Sequence, residues 1–430
     1  MFRRRRCCWC SEKRENILKY CLFISKNEVK SLVKLSIIIL FAFTQILFSQ
    51  PVSQEMVDEV SRNFLAQHRQ MVIKKKFIKA APAISKIQIL KEPKTEIPLA
   101  HVINLNPKGF IVLSNDQGIE PVIAYSFNSN FSMDTTHQNI LYHMVIKDMT
   151  LRKEALPLIE AEIKNENRKK WDQLATGMIT YLNEAAFQQW PPEGSTTTGG
   201  WVETTWNQSS PFNDFCPLDP MTGTRSVVGC VATAMAQIIH YHEHIGSASF
   251  DINDEYTTPN GINIDSDSTM NDFPSFERIN LGLDSIDYKY QNNVALNNAD
   301  LAALNFAVGI TVSMQYSSSE SGAYSSDIVP ALLDKFNYNS AEYNTTGLPL
   351  FLKSNMVNGL PALLGLQIYL GPGHLIVADG VNTDGFYHLN YGWGENAPQN
   401  IMLMWYHLDE ELPPYHFIFT DAVYLSLIHI

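Results

Sequence analysis

The chain has 430 residues, 45% of them hydrophobic, 18% charged and 11% aromatic. That composition excludes a disordered, collagen-like or coiled-coil protein and leaves room for two or three domains at about 100–200 residues each. The net charge of −12 is uneven: residues 1–34 carry 10 Lys/Arg and 3 Asp/Glu, so the rest holds 22 basic and 41 acidic residues. An acidic body repels polyphosphate, which excludes DNA or RNA as a partner.

The N-terminal stretch reads as an export signal. Lys30 and Lys34 precede the uncharged apolar run from Leu35 to Phe48, and Ser49-Gln50-Pro51 follows it. This is a basic n-region, an apolar h-region and a polar exit. The run is shorter than the ~20 apolar residues of a membrane span, so no stable span is expected after signal removal. The expected location is secreted, cell-surface or periplasmic. Arg3 to Arg6 and the cluster Cys7, Cys8, Cys10 are foreign to such a signal and read as upstream sequence, with initiation nearer Val29. Four of the six cysteines lie in the first 21 residues. Cys216 and Cys230 remain, too few for a disulfide framework: one bridge, or a working thiol.

After residues 1–50, residues 51–190 read as a small α+β domain. The spacing predicts a helix over 55–80, with Val57, Val60, Phe64 and Leu65 on one face. Strands are predicted over 100–105, 109–114 and 121–125, and helical periodicity returns over 138–187. Residues 191–200, Pro-Pro-Glu-Gly-Ser-Thr-Thr-Thr-Gly-Gly, form a linker with turn chemistry and protease access. A larger domain, residues 201–430, follows. Internal repeats, a phosphate-binding glycine loop and a serine-nucleophile elbow are not found.

The chemistry concentrates in the larger domain. Val231, Ala234, Met235, Ile238 and His242 fall at helical spacing, and Gly229 breaks structure just before them. Cys230 is thereby placed at the first turn of a buried helix, where unpaired N–H groups favour thiolate. A thiolate is the nucleophile of acyl transfer; the alternative is a core cysteine.

The segment from Gly371 to Gly394 reads strand, turn, strand. A turn centred near Asn382 pairs His374 with Asn390, and a turn nearer Asp384 shifts the register and requires a bulge. An Asn beside a His fixes its tautomer. Gly371 and Gly373 leave the approach to His374 open, and Tyr391 and Trp393 offer an aromatic shelf. In the run from Trp206 to Pro217, Gln208 carries an amide suited to an oxyanion. His240, His242 and His244 present a possible zinc spacing, but without the HExxH order or an evident third ligand. They are read as the end of the Cys230 helix, and no metal or other cofactor is expected.

Together, the Trp206–Pro217 run, GCVATAMAQIIHYH from Gly229, GHLIVADG from Gly373 and FYHLNYGWG from Phe386 resemble the streptopain-like bacterial cysteine peptidases. The resemblance implies an α+β, papain-like two-lobed peptidase domain, with a helical lobe and an antiparallel β lobe, behind a small α+β prodomain. It implies Cys230 as nucleophile, His374 as base and acid, Gln208 with the Cys230 N–H as oxyanion hole, and Asn390 and Trp393 ordering the histidine. It implies that the Ser-rich loop from Ser313 to Ser326, with Ser318 and Ser319, binds substrate beside Gly373. A hydrophobic residue is expected two positions before the cut. The partners implied are protein or peptide substrates and the chain's own prodomain as inhibitor. Tyr391 replaces the Trp usual in the family, and the glycine-rich loop usual near the C-terminus is not evident. Two other readings keep the same residues: a Cys-His amidase acting on cell-wall peptides, and a non-catalytic peptide-binding descendant.

Overall fold

A computed structural model describes residues 50–74, 82–136, 138–178, 187–267, 270–345, 348–369, 373–394, 403–408 and 419–424. The export signal and the N-terminal cysteine cluster lie outside the described residues. No helix among those described is long and apolar enough to cross a membrane.

The predicted first helix is α1, Gln54–Lys74. Val57, Val60, Phe64 and Leu65 are all buried, as their spacing requires. Four antiparallel strands follow: β1 (Ala83–Lys91), β2 (Pro98–Asn106), β3 (Phe110–Ser114) and β4 (Val122–Ser126). β1 was not expected; most of its residues stay partly or fully exposed, so its hydrophobic pattern is weak. The helical region divides into α2 (Ile140–Ala155) and α3 (Ala161–Ala175) around a short 3-10 turn holding Pro157, because proline cannot supply the helical N–H.

Beyond β5 (Gln189–Trp190) come three helices, α4 (Cys230–His242), α5 (Phe276–Gln291) and α6 (Asn298–Thr311). A two-stranded ribbon, β6 (Tyr256–Thr257) with β7 (Asn263–Ile264), lies between α4 and α5. After short helical turns over 325–335 come β8 (Glu342–Asn344), α7 (Leu348–Val357), β9 (Ala362–Leu366), β10 (His374–Asn382), β11 (Phe386–Asn390), β12 (Leu403–His407) and β13 (Phe419–Tyr424).

One antiparallel sheet runs through the described residues in the order β1-β2-β3-β4-β12-β11-β10-β9-β13-β8, and β5 pairs the far end of β10. The break in composition at 191–200 therefore does not divide the sheet: β4 pairs β12 through Trp405↔Tyr125 and Tyr406↔Ala124. The α4–α6 lobe forms its own apolar core, joined by Leu375 and Val377 from β10. The sheet face with α2 and α7 makes a second core, and α1 and α3 cover the opposite face of the N-terminal strands. α4 thus lies against β10, and this contact brings the cysteine helix to the histidine strand.

Candidate active site

Cys230 is the first residue of α4. Gly229 before it has φ +90°, and a Cβ there would lie 2.8 Å from Met314 Sδ and 2.9 Å from the Ser321 carbonyl. Only glycine fits both the conformation and the space. The opposite face of the helix is apolar and buried from Val231 to Ile239, so the thiol is held at the helix start, half-buried.

His374 is the first residue of β10, is buried, and shares a cleft with Cys230. Its Nε2 lies 2.9 Å from Trp393 Nε1 and 3.2 Å from the Tyr391 carbonyl. These two partners suit different charge states. A neutral ring with its proton on Nδ1 accepts from the Trp393 indole N–H; an imidazolium donates from Nε2 to the Tyr391 carbonyl.

Burial on its own raises the Cys230 pKa. The charge of His374, its hydrogen bond to the sulfur, and the backbone N–H groups of Leu375 and Val231 outweigh burial, so the net shift is downward. Alkylation by iodoacetamide, followed against pH, is expected to show a midpoint below that of an ordinary thiol. In His374→Ala the two strongest lowering influences are gone, and the midpoint should rise above the ordinary value. An unchanged midpoint in that variant would show that the two groups do not interact.

Asn390 differs from expectation. The turn lies over residues 383–385, Val377 pairs Asn390, and a bulge falls between Ala378 and Gly380. His374 pairs Leu366 of β9 instead. The Asn390 amide donates to the Thr204 carbonyl at 2.8 Å and to Gln237 Oε1 at 3.3 Å, and its oxygen accepts from the Gly392 N–H. Asn390 therefore shapes the turn that carries Tyr391 and Trp393, and does not bond the histidine.

Gln237 was missed in the sequence. It is fully buried on α4, and its Oε1 accepts from Thr204 Oγ1 at 2.8 Å and the Trp206 N–H at 3.4 Å, besides Asn390. It joins the cysteine helix, the strand end at Asn390 and the segment leading to Gln208. A lone Gln in an alanine-rich helix carries no such signal.

Gln208, Cys230, Ser319, Gly373, His374 and Trp393 line one cleft of about 730 Å³. The Gln208 carbonyl accepts from the Val228 N–H at 3.0 Å. Ser318 does not line the cleft: its hydroxyl and N–H both bond Asp219 Oδ2 at 2.8 Å. It holds the loop, and Ser319 faces the open space. Gln138 and Ile140, from the N-terminal region, line the same cleft, and Ile140 is buried in the core that includes Leu366 and Ile368.

Of the other singled-out residues, His240 bonds the Tyr290 hydroxyl at 2.9 Å and stacks on Trp206. His242 and His244 meet the Tyr338 ring. Cys216 and Cys230 are both free, and burial raises the Cys216 thiol. A His–carboxylate pair, unforeseen, is also buried: His388 Nδ1 meets Asp379 Oδ1 at 2.6 Å.

Residues 206–398 match the model of the Peptidase C10 family, and residues 49–149 match that of the Spi protease inhibitor. The chain is 25% identical over 311 residues to streptopain of Streptococcus pyogenes, covering 68% of this chain and 71% of that relative. It is 24% identical over 367 residues to the thiol protease/hemagglutinin PrtT of Porphyromonas gingivalis, covering 82% of this chain but 39% of that relative. Its fold is similar to that of a prointerpain A fragment from Prevotella intermedia, with a TM-score of 0.52 at 22% identity, covering 79% of this chain and 97% of the fragment. With the thiol, the histidine and the inhibitor-like region in one molecule, the chain is a zymogen-type, streptopain-like cysteine peptidase of papain-like fold with an N-terminal prodomain.

Proposed function

We propose that the protein is an exported endopeptidase that cuts protein substrates, made with residues 51–190 as an inhibitory prodomain, 191–200 as the processing linker and 201–430 as the peptidase domain. The observation that carries this reading is that Cys230 and His374, whose charge lowers the thiol pKa, line one cleft that also takes Gln138 and Ile140 of the N-terminal region. The Cys230 sulfur attacks the peptide carbonyl, and the bond to the leaving amine breaks as His374 protonates it. His374 then takes a proton from water, the hydroxide displaces the sulfur, and the acid is released.

Gln208 and the N–H of Cys230 hold the oxyanion. The cleft position of Gln208 and the place of Cys230 at the start of α4, where helical N–H groups lack intrahelical partners, support this assignment. Trp393 and the Tyr391 carbonyl order the histidine, and Asn390 fixes their turn. Ser319 and Gly373 lie along the substrate. Leu366 and Ile368, packed on Ile140, supply the apolar wall expected to take a hydrophobic residue before the cut.

Gln208→Ala tests the assignment. Loss of one oxyanion donor raises the barrier by ~2.7–4 kcal/mol, about a hundred- to a thousand-fold in kcat. The expected result with a casein-derived peptide is that loss in kcat with KM little changed. Near-normal kcat would overturn the role of Gln208.

A further inference from the structure

Charge is divided sharply along the chain. Residues 51–190 hold 17 Lys/Arg and 15 Asp/Glu, close to balance, whereas residues 201–430 hold 5 Lys/Arg and 25 Asp/Glu. Three of those five cations are engaged locally: Arg225 by Asp272, Lys289 by Asp300 and Lys335 by Asp254. A fourth, Arg278, lies over the Phe215 ring at 5.2 Å. Such a charge balance gives the larger region a negative field, which draws in cationic segments and turns acidic ones away.

The cleft carries the same sign to the reacting groups. Among the described residues that line it, Glu320 is the one carboxylate, and none is Lys or Arg. The Glu320 backbone is fixed from both sides by one hydroxyl: Ser317 Oγ accepts from its N–H at 3.0 Å and donates to its carbonyl at 2.7 Å. Its side chain is exposed, and its carboxylate has no hydrogen bond or ion pair with the described residues. Asp219, the acid beneath the same loop, is different. Its Oδ2 accepts from the Ser318 N–H and hydroxyl, and its Oδ1 from the Met221 N–H. Of the two, only Glu320 offers an open acceptor to a substrate.

Packing places Glu320 along the cleft. The next residue, Ser321, has its carbonyl 2.9 Å from where a Cβ on Gly229 would stand, and its hydroxyl donates to the Val227 carbonyl at 2.7 Å. Gly229 precedes Cys230. Two chain steps of ~3.8 Å and the contact between them put the Glu320 Cα within about 15 Å of the Cys230 Cα. At ~3.3 Å per residue of extended substrate, that is no more than about five residues from the cut. The apolar wall at Leu366 and Ile368 stands at the end of β9 and just after it, and Glu320 on the loop packed against residues 227–229. One substrate meets the two with different residues.

We propose that the substrates are cationic protein segments, and that Glu320 is a specificity residue that takes a Lys or Arg side chain within about five residues of the cut. The proposal rests on the reading of this chain as a peptidase, and it adds the charge class that the peptidase cuts.

The test uses the full chain, incubated until its hydrolysis of an uncharged peptide no longer rises. A set of peptides keeps that uncharged sequence and carries one Lys, one Gln or one Glu at each position from five before the cut to five after it. kcat/KM is measured for each at low and at raised salt, with wild type, Glu320→Gln and Glu320→Lys. The readout in every enzyme is the ratio of the Lys to the Gln peptide at one position, so a general loss of activity cancels. Wild type is expected to favour Lys by about two- to five-fold at one position or two adjacent ones, the size of an exposed ion pair, and to disfavour Glu there. Raised salt should shrink that preference. Glu320→Gln should bring the ratio down to that of the other positions, and Glu320→Lys should favour Glu there instead. A wild-type ratio no higher at any one position than at the rest overturns the proposal while leaving the peptidase reading in place. So does a Lys preference that keeps its size and position in Glu320→Gln. If wild type cuts none of the peptides, the uncharged one included, even after limited digestion by an added serine protease, the peptidase reading itself fails, and this proposal with it.

Discussion

Cys230→Ala is expected to abolish peptide hydrolysis while leaving the fold intact. Deleting a nucleophile or its base costs roughly a million-fold in kcat in a hydrolase whose groups act as a unit. The proposed roles make Cys230 and His374 such a unit, and the charge of His374 lowers the thiol pKa. His374→Ala should fall nearly as far, and the double variant no further than either single one. Additive losses in the double variant would show two independent contributions. The fold should survive because Cys230 is half-buried at the helix start and its β-carbon is kept, with the apolar face from Val231 to Ile239 untouched. Far-UV circular dichroism and unfolding midpoints matching wild type check that half of the prediction. Residual hydrolysis within a hundred-fold of wild type would point to a different nucleophile.

The parts of this site that were legible in the sequence are those with local signals. The Gly229 break followed by an alanine-rich apolar helix placed Cys230, and the glycine-flanked His374 at a strand start placed the histidine. Neither needed a long-range contact. Of the two registers open in the sequence, the structure takes the one with its turn near Asp384 and a bulge between Ala378 and Gly380, so Val377 and not His374 pairs Asn390; the sequence could not choose, because a one-residue slip carries no hydrophobic penalty when both faces are buried, as all of β10 is. Ser318 failed for a similar reason. The hydroxyl that suits a substrate also suits Asp219, 99 residues away in the chain. Gln237 and the β4–β12 pairing were not legible at all, since each is defined only by segments distant in sequence that meet after folding.

Asp379→Ala is expected to be the most damaging change outside the thiol chemistry. Asp379 is fully buried, and both its oxygens are engaged, Oδ1 by His388 Nδ1 and Oδ2 by the Val202 N–H. Leaving a buried donor without its acceptor costs about 1–3 kcal/mol, and Asp379→Ala does this to two, the His388 ring and the Val202 N–H. His388 has no escape to solvent: it is buried edge-on to Trp405. The consequence extends along the chain. Val202 leads to Thr204 and Trp206, which Gln237 holds, and then to Gln208 in the cleft. Freeing Val202 therefore loosens the segment that carries Gln208, the proposed oxyanion donor, as well as the end of the 191–200 segment. Urea unfolding in the Cys230→Ala background, where self-cutting cannot intervene, should show a loss of about 2–6 kcal/mol for Asp379→Ala, from two orphaned donors at about 1–3 kcal/mol each. Asp379→Asn, which keeps the shape and an acceptor for one of the two donors, should lose less. A change below about 1 kcal/mol in Asp379→Ala, the size of an exposed ion pair, would show that this carboxylate is not what ties the Trp201–Val202 segment to β10.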